Sequence, residues 1–221
     1  MNFKQVTLFG STGLIGSKLL GDLLKDTDYH LVNVITRTPF YLKHDKINNI
    51  VVDFNDYKSI LDSVENSKAV FVSIGTTMAK EKGNKFNYKK VDYDITCNIA
   101  KACKEHNIAK FIYVSSLGAD SNKSNFYLKL KGQIEDTIKD LKLPSTAVFR
   151  PSVLIGSRSE FRLGEKIAQI LMNFFKCIIP TKSKPIKAEL VAKAMLNISK
   201  KNTLGLHVYH YNEIINNSDL I

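Results

Sequence analysis

Glycines 10, 13 and 16 stand directly between a short apolar run, residues 6–9, and a stretch that places Ile15, Leu19, Leu20, Leu23 and Leu24 on one helical face. This junction constrains the fold more than any other feature of the chain. A strand that ends in Gly-x-x-Gly-x-x-Gly and enters a helix can turn tightly at Gly10. It admits an anionic group close to the main chain at Gly13 and lets the helix lie near the sheet at Gly16. The helix N-terminus adds free N–H groups and a partial positive charge. In this setting the ligand to expect is the pyrophosphate of a dinucleotide, with Thr12, Leu14 and Ile15 supplying backbone or hydroxyl contacts.

The same alternation continues downstream. Residues 31–35, 50–52, 69–74, 110–115 and 146–149 are short apolar or β-branched runs, and helical patterns cover about 87–106 and 126–141. Strands and helices in this order predict an α/β fold: a doubly wound parallel Rossmann sheet of six or seven strands, joined by right-handed crossovers. After Arg150-Pro151 the pattern loosens. Helices are predicted near 165–175 and 189–200 and a last strand at 206–209. Residues 1–221 therefore read as one NAD(P)-binding domain, with 152–221 a small C-terminal appendage carrying substrate-side helices. The apolar stretch 163–179, with Phe174, Phe175, Ile178 and Ile179, reads as core; a pocket wall or a homodimer surface is the alternative.

An apolar fraction of 44% supports a full core for 221 residues. The net charge of +11 raises the question of nucleic acid, but the lysines are spread along the chain instead of clustering with aromatics, so no nucleic-acid partner is expected. No apolar stretch is long enough to span a membrane. The chain enters its first strand too early for a secretory signal, and the expectation is a cytoplasmic protein. Cys97, Cys103 and Cys177 lack metal-ligand spacing and read as buried free thiols, with no metal site expected. Only four of the 32 basic residues are arginines: Arg37, Arg150, Arg158 and Arg162. Such sparing use hints at places where a planar fork is needed.

At the end of the second strand of a dinucleotide site, an acid selects NAD through the ribose, whereas arginine accommodates the 2′-phosphate of NADP. Here the run is Thr36-Arg37-Thr38. NADPH is therefore expected in preference to NADH, with a solvent-facing Arg37 as the bland alternative. Asp53 is placed to bond the adenine amino group and Gly75 to let the backbone pass beside the cofactor; turn duty is the alternative for each. Tyr127 and Lys131, four apart on a predicted helix, share a face, and Ser115-Ser116 ends the preceding strand. A phenol beside an ammonium and a positive nicotinamide can exchange a proton near neutral pH, and a serine hydroxyl can hold a carbonyl oxygen during hydride transfer. A plain surface pair is the competing reading of Tyr-x-x-x-Lys.

Together the glycine turn, the two serines, Tyr127-x-x-x-Lys131 and Arg150-Pro151 resemble an atypical short-chain dehydrogenase/reductase. More narrowly, Ser73-Ile-Gly-Thr-Thr77, Val91-Asp-Tyr-Asp94, Val114-Ser-Ser-Leu-Gly-Ala-Asp120, Ser124-Asn-Phe-Tyr-Leu-Lys-Leu-Lys-Gly132 and Val148-Phe-Arg-Pro151 resemble the oxidoreductase HIV Tat-interacting protein family. The resemblance implies NADPH binding by Thr12, Gly13, Leu14, Ile15, Arg37, Ile74, Gly75, Tyr127, Lys131, Leu154 and Arg162, with Tyr127 as proton donor. The chain departs from the family at Thr38, where a second arginine stands in the member compared. It also shows no obvious asparagine on the long helix after the fourth strand, where Asp92 is at hand.

The function expected is NADPH-dependent reduction of a small carbonyl compound, with Tyr127 as acid and Lys131 lowering its pKa and fixing the ribose. Ser116, slightly favoured over Ser115, would orient the carbonyl. The rival from another class is a non-catalytic NADPH sensor acting through a regulatory protein partner. A sugar-nucleotide epimerase is a third reading, against which stands the short region after residue 151.

Overall fold

A computed structural model describes residues 4–155 and 184–219. The element order is β1 (Gln5–Phe9), α1 (Leu14–Lys25), β2 (Leu31–Thr36), β3 (Ile47–Val51), α2 (Tyr57–Ser63), β4 (Ser67–Val72) and α3 (Lys85–Lys89). A π-helical turn (Lys90–Asp94) runs from α3 into α4 (Ile95–Glu105). It is followed by β5 (Lys110–Val114), α5 (Phe126–Asp140), β6 (Ser145–Phe149) and β7 (Leu154–Ile155). The chain resumes with β8 (Ile186–Lys187), α6 (Ala188–Lys200), β9 (Gly205–Tyr209) and α7 (Tyr211–Ser218).

Seven strands form one sheet in the order β3-β2-β1-β4-β5-β6-β9, and every neighbouring pair is parallel. The order reverses direction between β1 and β4, the switch point at which ligands of such sheets bind. Apolar side chains leave both faces. One face packs Val6, Leu8, Val34 and Phe71 with Leu19, Leu23, Val191 and Met195 from α1 and α6. The other packs Phe9, Val70, Val72, Phe111 and Tyr113 with Ile60, Ile99 and Ile134 from α2, α4 and α5. Burial on both faces is why these strands read as near-continuous apolar runs.

The doubly wound parallel sheet expected from the sequence is what the chain forms, at seven strands. Several boundaries differ. The third strand starts at Ile47, earlier than its apolar end suggested, because Asn49 fits the sheet by donating to Val34 O and Thr36 Oγ1, both at 2.9 Å. The long helix begins at Lys85 and is broken by the π turn, in which the N–H of Ile95 reaches back five residues to Lys90 O. Helices α2 and α7 and the small β7-β8 pair lacked an apolar stripe long enough to register. Cys97 and Cys103 are buried free thiols, and burial pushes the Cys97 thiol up to about 11. Arg158, Arg162, Cys177, the helix expected near 165–175 and the apolar stretch 163–179 lie outside the described residues.

Candidate functional site

Because all seven strands run the same way, the residues that follow them gather along one edge: Gly10, Arg37, Asp53, Ser73 to Gly75, Ser115, Ser116 and Arg150. The glycine turn sits at the middle of that edge. Gly10 has φ +87°, and a Cβ there would lie 2.7 Å from the carbonyl carbon of Ser73. A Cβ at Gly16 would lie 2.0 Å from Gly10 O and 2.7 Å from Ser73 Oγ. The two glycines are what let α1 start against the β1 and β4 ends, with Gly13 at its N-cap and no side-chain cap over its first N–H groups. Ser11 Oγ is buried in the same turn and has no hydrogen-bond partner among the described residues. A tight main-chain cradle, an uncapped helix start and an orphan hydroxyl are the features a pyrophosphate would satisfy, so the residues present fit a dinucleotide.

Gly16→Ala is expected to destabilise the fold by about 1–3 kcal/mol, as overpacking does, and to weaken dinucleotide binding. The checks are a thermal melt and a binding titration. Unchanged melting and affinity would mean that α1 can shift at no cost.

To one side of the turn, Arg37, Val51, Val52, Asp53, Phe54, Asn55, Lys90, Val91 and Ile95 line a crevice of about 450 Å³. Arg37 and Asp53 are both exposed on it. Asp53 Oδ1 accepts from the backbone and side-chain nitrogens of Asn55 at 2.9 and 2.8 Å, so turn duty occupies one of its oxygens. Lys90 is a second cation on this crevice that sequence reasoning missed, because it comes from an element distant in the chain from Arg37. Of the remaining expected contacts, Thr12 and Gly75 are exposed and Leu14, Ile74 and Leu154 half-buried. Ile15 is 5% exposed within the core, which leaves only its backbone for a ligand.

To the other side lies a cluster of titratable groups. Helix α5 starts at the Asn125 cap, whose side chain accepts from Leu128 N–H at 3.1 Å, and puts Tyr127, Lys131 and Glu135 on one face at successive turns. A Cβ at Gly132 would lie 2.1 Å from Ser121 N, so glycine is what allows the loop after β5 to press on this helix. Lys131 is 4% exposed. Its Nζ donates to Tyr113 Oη at 3.2 Å, pairs with Asp92 Oδ2 at 3.1 Å, and lies 6.0 Å from the Tyr127 ring centroid. Burial works against its charge, but Tyr113, Asp92 and Tyr127 outweigh it and hold the amine above the ordinary lysine range. Burial also pushes the phenols of Tyr113 and Tyr88 well up. Tyr127 itself is 38% exposed and faces the open edge.

The two serines part company. Ser115 is buried and donates its hydroxyl proton to Glu135 Oε1. Arg150 Nε in turn reaches both Glu135 oxygens, at 3.0 and 3.1 Å. Ser116 is half-buried, and among the described residues its hydroxyl makes only a long 3.4 Å bond to Leu117 O. The sparing use of arginine is explained at Arg150, whose fork ties the end of β6 to α5 through a carboxylate. Sequence reasoning missed Tyr113 and Glu135, which carried no motif; strand and helix periodicity put them on the shared face.

The family described as NAD(P)H-binding matches residues 10–173. Protein FMP52, mitochondrial, of Debaryomyces hansenii is 36% identical over 201 residues, covering 88% of this chain and 87% of that one. Protein HTATIP2 of Rattus norvegicus is 30% identical over 202 residues, covering 89% and 81%. Among solved structures, the Bordetella bronchiseptica enzyme WbmH in complex with NAD+ superposes with a TM-score of 0.73 at 19% identity, over 95% of this chain and 76% of that one, a likeness of fold. The cytoplasmic expectation does not stand, since four fungal relatives are named mitochondrial. The position of the first strand could not separate cytosol from organelle. No described helix is long and apolar enough to cross a membrane. With its glycine turn at the switch point of a seven-stranded parallel sheet, its family match and its HTATIP2 relative, the chain belongs to the NAD(P)H-binding family of atypical short-chain dehydrogenase/reductase Rossmann proteins.

Proposed function

We propose that the protein is an NADPH-dependent oxidoreductase that reduces a small carbonyl compound, and that it works in mitochondria, as the names of its fungal relatives suggest. The observation that carries the reading is the buried Lys131 ammonium beside Tyr127, on the same sheet edge as the glycine cradle. When bound, the dinucleotide supplies the hydride. Tyr127 gives its proton to the carbonyl oxygen as charge develops there, and Lys131 steadies the phenol and the nicotinamide-side ribose. Ser116 is the better candidate for holding the carbonyl oxygen, because Ser115 has already committed its proton to Glu135 and can only accept. The test is to follow NADPH absorbance while purified protein meets panels of aldehydes, ketones and quinones. Tight NADPH binding with no turnover on any of them would instead favour the sensor.

NADPH over NADH rests on Arg37, which has no acid next to it in the chain and faces the crevice with Lys90. Arg37→Ala should weaken NADPH binding by about tenfold to a hundredfold, the range for losing a hydrogen bond to a charged group, and barely affect NADH. Arg37→Lys should fall between the two, because it keeps the charge and loses the fork. Equal losses for both cofactors, measured by titration calorimetry, would remove Arg37 from the 2′-phosphate.

A further inference from the structure

Helix α3 opens at Asn84, whose side chain accepts from the N–H groups of Phe86 and Asn87 at 2.9 and 3.1 Å, and its turn puts Phe86 outward and Tyr88 inward. Phe86 is 75% exposed and Tyr88 3%. The Tyr88 ring meets the Phe126 ring edge on, with centroids 5.7 Å apart, so the first residue of α5 packs it beside Tyr127. Burial and then the Asp92 carboxylate hold the Tyr88 phenol well above its ordinary range, against the pull of Lys131, with Tyr127 and Tyr113 also close enough to bear on it. The hydroxyl is thus in the cluster described above and carries its proton at neutral pH. It has no hydrogen-bond partner among the described residues, and its oxygen is not fully enclosed, so the small part of Tyr88 that stays accessible includes Oη. Packing against Phe126 would be met by phenylalanine. A largely buried hydroxyl left without a partner is destabilising, and its presence calls for an acceptor that the protein does not supply.

We propose that Tyr88 is a substrate-holding residue of the Tyr127 centre, its phenol donating to an oxygen on the carbon next to the carbonyl being reduced, and that the substrate class is accordingly the vicinal dicarbonyl compounds. The proposal rests on the reading of Tyr127 and Ser116 given above. A carbonyl oxygen has two lone pairs, and on that reading Tyr127 and Ser116 use both. A third donor beside them is left for a neighbouring oxygen. Donors on both oxygens hold the two carbonyl dipoles on one side, an arrangement that the free compound opposes, and present one carbon for attack. That carbon receives a hydride from the reduced nicotinamide, which is thereby oxidised, and its oxygen receives the proton of Tyr127, giving an α-hydroxy ketone. A proton from water restores the Tyr127 phenol. Tyr88 keeps its own proton throughout.

The experiment uses the full-length chain and two substrates that differ in the second oxygen, 1-phenyl-1,2-propanedione and 1-phenyl-1-propanone, with NADPH absorbance followed for each. Tyr88→Phe should lower kcat/KM for the dione about tenfold and leave that for the monoketone within about twofold, as the loss of one hydrogen bond does. Its melting temperature should match or exceed that of wild type, since the hydroxyl removed had no partner to strand. The contact is also read without turnover. In protein carrying 3-fluorotyrosine, the fluorine resonance absent from Tyr88→Phe should shift when the dione is added with NADP+ and stay in place when the monoketone is. Equal losses on the two substrates, an unchanged rate on the dione, a lowered melting temperature or a resonance that the dione does not move overturns the proposal. Failure of the underlying reading looks different: Tyr127→Phe then turns over like wild type, or neither substrate is reduced, while the fluorine resonance still decides whether Tyr88 meets the dione.

Discussion

Tyr127→Phe is expected to lower turnover on any competent carbonyl substrate by roughly 10²–10⁴, the usual contribution of a positioned acid or base, while dinucleotide affinity stays within a few-fold. The substitution removes one oxygen and leaves the ring. The ring is what packs on α5 beside Lys131, 6.0 Å from Nζ, and it is 38% exposed, so its hydroxyl carries little of the fold. The phenol proton, by contrast, has no substitute at that place. Ser115 donates its hydroxyl hydrogen bond to Glu135, and Tyr113 is fully buried, its hydroxyl oxygen accepting from Lys131 Nζ. The result also separates the two functional classes weighed from the sequence. An enzyme loses rate and keeps affinity. If slow NADPH oxidation by the wild type is untouched in Tyr127→Phe, the oxidation is adventitious, and capture of a partner in the presence of reduced or oxidised cofactor becomes the deciding measurement.

How far the sequence could be read follows from where each signal is local. The glycine turn is local: three spacings and a strand before them state both the backbone path and the ligand class, and the close contacts that a Cβ would make at Gly10 and Gly16 give the same reason. The parallel order is nearly local, because short β-branched runs separated by helices leave few other topologies. Lys131 and Tyr127 share a helix face by periodicity alone. Asp92 was visible only as a residue without a role, since a helix drawn with a regular turn gives no sign that a π turn will carry it onto Lys131. Glu135 and Lys90 were illegible for a related cause: one meets Ser115 and Arg150 from two other elements, and the other lines a crevice with Arg37. Polarity also misled at Asn49, whose amide is satisfied inside the sheet and so extends β3 beyond its apolar end.

Lys131→Met should destabilise the protein by roughly 3–5 kcal/mol, the cost of leaving one member of a buried ion pair without its partner. Methionine matches the length of the lysine stem and fills the space, so little of the loss comes from a cavity. What it cannot do is answer the Asp92 carboxylate, which is 1% exposed and has Thr76 N–H as its other hydrogen-bond donor. Adding Asp92→Asn to Lys131→Met should therefore recover much of the loss, because a neutral amide can still accept from Thr76 and no charge is stranded. The pH dependence has a definite sign. Lys131 is held above its ordinary range, so the lysine's share of the stability is complete below the unfolded value of about 10.4 and fades only as pH rises through the folded value. Between neutral pH and about 10, the gap between wild type and Lys131→Met in urea unfolding should stay level, and it should narrow at higher pH. A gap below about 1 kcal/mol, or a double variant no better than the single, would show that the pair is solvated and that Lys131 is held in place by its stem alone.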